Sequence, residues 1–143
     1  MTDIDFYVLA SNQTAARQHF ACRLAHKAWS QNRQVYLHCA SEAEAEQIDE
    51  LLWSFRPDAF LPHALHQTKP NEVVVCGWED DPSPHQDLLI NLCNEVPAFY
   101  KRFKRLAEIL VDHESVLAPA RQRFRFYREQ GYAPKTHQLR TAG

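Results

Sequence analysis

The chain is 143 residues long, a common size for one domain and long enough to bury a core without a metal or disulfide. Its four cysteines (Cys22, Cys39, Cys76 and Cys93) are widely spaced with no CxxC, which argues against a zinc site or redox pair. No apolar run approaches a spanning helix and the opening residues lack a signal-peptide pattern, so a cytoplasmic protein with reduced thiols is expected.

In chain order, Phe6 to Ala10 reads as a strand buried on both faces. Thr14 to Asn32 follows as a helix, with Phe20, Ala21, Leu24, Ala25, Ala28 and Trp29 as its apolar stripe. Gln34 to Cys39 is a second strand. Ser41 then caps a helix, with Glu44 at the capping-box position, and the helix runs to about Phe55, with Pro57 as its stop. Val73 to Cys76 is a third strand, and Glu79-Asp80-Asp81 with Pro82 and Pro84 a surface turn. Leu88 to Leu92 is a fourth strand, Pro97 opens a short helical turn through Phe103, and Leu106 to Val111 is a fifth strand. A last helix starts near Ser115, or with Pro119 in its first turn, and runs to Gln130, where Gly131 fits a C′ glycine. The last dozen residues, about 133–143, look like an unanchored tail. Two-sided apolar strands alternating with helices predict an α/β fold over 1–143: three layers around a mostly parallel sheet of about five strands.

Such a sheet invites a nucleotide, but the turn Ala10 to Thr14 has no glycine, and neither Gly77, Gly131 nor Gly143 opens a helix. Phosphate loops need glycines so that backbone N–H groups can approach the phosphates. His63-x-x-His66 offers two metal ligands and lacks a third, so backbone-satisfied loop histidines are expected. His38 and Cys39 should point to opposite faces of a strand, wrong for a nucleophile and its base. Neither an enzyme nor a cofactor site is predicted.

Two surfaces stand out. The first is Leu51 to Leu65, LLWSFRPDAFLPHAL, with a tryptophan, two phenylalanines and two prolines in a connection. On a helical wheel Ala45, Ile48, Leu51, Leu52 and Phe55 form the core stripe, while Trp53 falls among Glu46 and Asp49. Either the following loop folds back over Trp53, or Trp53, Phe60, Leu61 and Pro62 make an exposed apolar patch for a protein partner. The second is the last helix. Residues 1–100 carry 6 Lys+Arg against 14 Asp+Glu, whereas 101–143 carry 10 against 4. Ala120, Phe124 and Tyr127 share a core-facing stripe with Arg121, Arg125 and Arg128 beside it. That is either a solvated basic face or a pocket with an aromatic floor and guanidinium walls. Arginine forks two hydrogen bonds onto a carboxylate, so the pocket suits an acidic, aromatic peptide. The alternative is direct binding of single-stranded nucleic acid, which the acidic body disfavours.

These residues resemble the chi subunit family of bacterial DNA polymerase III over nearly the whole chain. The resemblance rests on IDFYVLA, LLWSFRPDAFLPH, DLLINL and the final helix ending in YREQGY. It implies a nucleotide-binding-like fold without nucleotide binding, no activity of its own, and an adaptor role in DNA replication. It implies a contact with the psi subunit of the clamp loader through Trp53, Phe60, Leu61 and Pro62, with Leu65 nearby; a helicase is a second candidate for the same patch. It implies a second contact, with the acidic, phenylalanine-ended tail of single-stranded-DNA-binding protein. The matching positions there are Leu110, Arg121 and Phe124, with Arg125, Tyr127 and Arg128 close by; DNA contact would be indirect. Two positions depart from the family: Leu117 stands where a lysine is usual, and Phe124 stands where a tyrosine would offer a hydroxyl.

Overall fold

A computed structural model describes residues 1–56, 60–79, 82 and 84–139. The expected helix stop at Pro57, the Asp80-Asp81 turn and the tail beyond Leu139 lie outside the described residues. The elements are β1 (Asp3–Val8), α1 (Ala15–Ser30), β2 (Val35–His38), α2 (Glu42–Ser54), β3 (His63–Leu65), β4 (Val74–Gly77), β5 (Leu88–Asn91), a 3-10 turn (Tyr100–Arg102), β6 (Arg105–Leu110), α3 (Glu114–Glu129) and β7 (Lys135–Gln138). Among the described residues the strands form one parallel sheet in the order β3-β4-β2-β5-β6-β1-β7. None of the described helices is long and apolar enough to cross a membrane.

Successive side chains of a strand point to opposite faces. Tyr7 meets Phe20 of α1 at 5.4 Å between ring centroids, and Phe6 meets Phe124 of α3 at 5.1 Å. Helix α1 therefore covers one face, α2 packs beside it, and α3 covers the other. This is the expected three-layer α/β architecture. Strands β2, β4 and β5 are buried throughout, as two-sided apolar runs require.

Local chemistry explains the helix ends. The Glu44 N–H donates to Ser41 Oγ (3.2 Å), and Glu44 Oε1 accepts from the Ala40 N–H (2.8 Å), which closes the start of α2. At the end of α3, Gly131 takes φ +93°, its N–H bonds the Arg128 carbonyl, and the Tyr132 N–H bonds that of Tyr127, both at 3.0 Å. This pair of bonds is a Schellman motif, which needs the left-handed residue that glycine supplies. α3 starts at Glu114, as the alternative near Ser115 expected, and not with Pro119 in its first turn. His113 caps it, Nδ1 accepting from the Ser115 N–H (3.2 Å), so Pro119 sits a turn inside the helix. The proline removes the N–H that would have reached the Ser115 carbonyl.

Two strands escape the sequence pattern. β3 is three residues inside the aromatic connection, and β7 (Lys-Thr-His-Gln) has no apolar residue. The expectation of an unanchored tail is therefore corrected for 135–138. These residues pair with Asp5 to Val8, and the Leu139 N–H bonds the Val8 carbonyl (2.9 Å). His137 Nε2 donates to Asp5 Oδ1 (2.8 Å), and its ring stacks on Tyr7 at 5.0 Å. Asp5 also holds Arg105 (3.2 Å), which lets a buried carboxylate sit inside β1 and starts that strand before its apolar run.

Candidate protein-interaction surfaces

At the C-terminal edge of the sheet, where α/β folds bind nucleotides, Arg17 reaches onto the ends of two strands. Its Nε donates to the Ile109 carbonyl (2.9 Å) and its Nη2 to that of Leu92 (3.5 Å). Burial lowers its pKa while Glu44 and Glu108 raise it. The cysteines are equally occupied with packing. Burial pushes the Cys22 and Cys93 thiols up to about 12, and Cys39 and Cys76 well above their usual value, so none is a ready thiolate.

The first surface lies at the β3 edge. Trp53 on α2 is 59% exposed and Phe60 is 79% exposed. The wheel placement of Trp53 away from the core thus holds, and the side chain stays mostly exposed. Pro62 and Leu65 are half-buried beside them. Leu61 is corrected: at 1% exposure it belongs to the core. The segment is extended here, so neighbouring side chains alternate between solvent and core, and Phe60 and Leu61 cannot share a surface. A buried histidine supports the patch. His63 Nδ1 lies 2.7 Å from the Leu61 carbonyl oxygen and Nε2 lies 2.9 Å from that of Asp49, with the Asp49 carboxylate at 3.7 Å. The ring staples the loop to α2, and Trp53 rests against it at 4.4 Å between centroids. His63 thus has the backbone partners that the sequence suggested, though it opens β3 and does not lie in a loop, and it fixes where Trp53 stands.

The second surface lies between α3 and the opposite edge of the sheet. Phe6, Leu110, Leu117, Ala120 and Phe124 floor an open groove of about 370 Å³. Arg121, Arg125 and Arg128 wall it on one side, and Thr136 of β7 bounds the other. Every residue expected for the arginine pocket is there except Tyr127. That side chain is corrected: it is 0% exposed and lies under Phe6 with its hydroxyl donating to Glu108 Oε2 (2.8 Å). Burial first, and Glu108 second, raise the Tyr127 pKa. On the wheel Tyr127 and Phe124 stand about 60° apart, enough to put one in the core and the other at its margin. Arg121 Nη1 is 2.8 Å from Glu114 Oε1, and both side chains are exposed. Among the described residues Arg125 and Arg128 have no ion-pair partner, so the groove presents unneutralised cations.

The residues that hold α3 in place were not singled out in the sequence. Arg123 is buried and aims inward. Its Nε reaches both oxygens of buried Glu108 on β6 (3.1 Å each), its Nη2 reaches Oε1 (3.0 Å), and its Nη1 bonds the Asn94 carbonyl (2.9 Å). Asn91 of β5 donates to the same carboxylate (3.1 Å). Two signals were available: Glu108 interrupts the apolar run Leu106 to Val111, and Arg123 falls on the buried side of the wheel with Val116, Ala120 and Tyr127.

The chain is similar in sequence to known proteins. The family model described as "DNA polymerase III chi subunit, HolC" matches residues 1–135. The chain is 50% identical over 139 residues to DNA polymerase III subunit chi of Pseudomonas aeruginosa, covering 97% of this chain and 98% of that one. It is 33% identical to the Haemophilus influenzae subunit (94% and 95% covered) and 27% identical to that of Escherichia coli (92% and 95% covered). With both the family match and these relatives spanning β1 to β6, the aromatic edge and the arginine helix together, the chain belongs to the DNA polymerase III chi subunit family, a replication accessory subunit.

Proposed function

We propose that this chain is a non-catalytic adaptor that links the clamp loader, through a psi subunit, to the acidic C-terminal tail of single-stranded-DNA-binding protein. The observation that carries the reading is the placement of the two surfaces at opposite edges of one sheet. Trp53 and Phe60 stand by β3 and the arginine groove by β7, at the two ends of the strand order. Six inter-strand spacings separate those edges, roughly 29 Å. Two partners can therefore occupy the molecule together, which is what a linker requires.

The groove's chemistry selects its ligand. A terminal phenylalanine fits the apolar floor of Leu110, Leu117, Ala120 and Phe124, and its carboxylate is in reach of the Arg121 fork. Acidic residues before it meet Arg125 and Arg128. Leu117 adds apolar surface where the family's lysine would add charge. Glu114 competes with the ligand for Arg121, so Glu114→Gln should bind the tail about two- to threefold more tightly, the scale of an exposed ion pair.

Titration with a synthetic acidic peptide ending in phenylalanine tests the groove. Arg121→Ala with Phe124→Ala should weaken binding about 30-fold, because it removes a forked charge-assisted contact and an aromatic wall together. Raising the salt should weaken the wild type, since exposed charges are screened beyond ~8–10 Å at physiological ionic strength. An unchanged affinity in the double variant would remove this site. Tighter binding of a bare single-stranded oligonucleotide than of the peptide would instead favour direct nucleic-acid binding.

A further inference from the structure

β7 ends the sheet, and among the described residues β1 is its sole neighbour. It is held firmly there by the ladder to Asp5–Val8, the His137–Asp5 bond and the Tyr7 stack. In a parallel ladder, alternate residues give their backbone groups to the neighbour. The bond from the Leu139 N–H to Val8 O fixes the phase. Lys135, His137 and Leu139 therefore face β1, while Thr136 and Gln138 turn their N–H and C=O groups outward. The Thr136 side chain, paired with Phe6, falls on the groove side and bounds it. Among the described residues, an ordered strand edge with outward-facing donors and acceptors is thus continuous with a groove of exposed cations.

We propose that the acidic peptide binds as an eighth, parallel strand on the outer edge of β7, with its terminal side chain turned into the groove at Phe124. The idea rests on the reading of the arginine groove as a tail-peptide site and specifies how the peptide's backbone is held. The direction follows from the fold. Helix α3 starts at the C-terminal end of β6 and returns to the start of β7, so it runs against the strands. Arg121 thus lies toward their C-terminal ends, by Leu110, and Arg128 toward their N-terminal ends. A peptide whose terminal carboxylate meets Arg121 and whose earlier acidic residues meet Arg125 and Arg128 runs with β7. The Thr136 N–H and C=O and the Gln138 N–H supply main-chain bonds that do not depend on sequence, and the groove and its arginines supply the selectivity. The charge of Lys135 on this edge favours an acidic strand and disfavours a second copy of β7.

Fluorescence anisotropy of a labelled acidic peptide ending in phenylalanine, with the full chain, tests this. Methylating one peptide amide at a time should weaken binding about tenfold at alternate positions and little between them, the effect of one lost bond and one clash. Thr136→Pro removes an outward N–H and leaves the β1 ladder intact, because proline is tolerated where the N–H faces away from the sheet. It should weaken binding about tenfold, while Thr136→Val, which keeps the N–H, stays within twofold. Wild-type affinity for every methylated peptide, or for Thr136→Pro, would overturn the added strand and leave the groove standing. No binding of the unmodified peptide to the wild type would overturn both.

Discussion

Replacing Arg123 with alanine should destabilise the protein by about 3–5 kcal/mol, the cost of leaving a buried charge without its partner. Glu108 is fully buried and is held by three side chains, of which Arg123 alone carries the opposite charge. Tyr127 and Asn91 would still donate to it, but neither neutralises it. In thermal unfolding this should lower the midpoint by roughly 10–17 °C for a chain of this size. Arg123→Met combined with Glu108→Gln should recover part of the loss, since removing both charges lifts the desolvation penalty and glutamine can still accept from Tyr127. Wild-type stability in Arg123→Ala would mean that Glu108 is not held as a buried carboxylate. The consequence reaches function, because Arg121, Phe124 and Arg125 ride on the same helix and are placed by this anchor.

Trp53→Ala should have the opposite profile: the fold intact, and binding of a psi-type partner weakened 30-fold or more, the scale of a tryptophan hot spot. Trp53 is mostly exposed, and the helix stripe beneath it (Ala45, Ile48 and Leu52) is complete without it. The melting point should stay within a few degrees of wild type. His63→Ala should weaken the same partner while lowering stability as well, because it releases the loop from α2 and withdraws the surface on which Trp53 rests. Binding of the partner and melting point measured side by side separate a contact residue from one that positions it. An unfolded Trp53→Ala protein would place Trp53 in the core.

Much of this was legible in the sequence because burial writes periodic patterns. The two-sided apolar runs marked β1, β2, β4, β5 and β6, the Ser41–Glu44 box marked the start of α2, and Gly131 marked the end of α3. The wheel separated Trp53 from Leu52 correctly. What was not legible lies where the pattern lapses. β7 sits at a sheet edge and needs no apolar residue, so Lys-Thr-His-Gln reads as tail. β3 is three residues long and follows a proline. Leu61 and Phe60 are neighbours in the chain, but the extended backbone sends the two in opposite directions. Arg123 lies in an arginine-rich helix, and charge alone does not say which way a guanidinium points. Its partner, Glu108, is fifteen residues away on β6, and the pairing exists only once the sheet has formed.

The adaptor role makes a sharp demand: the two surfaces must act independently and at the same time. The direct measurement is a bridging assay, in which the immobilised acidic tail peptide captures this chain and, through it, a psi subunit. Wild type should bring down both. Trp53→Ala should stay on the peptide and lose psi, whereas Arg121→Ala with Phe124→Ala should leave the peptide and still bind psi in solution. If either variant lost both partners while remaining folded, or if psi and the peptide displaced one another, the two-edge adaptor would be contradicted.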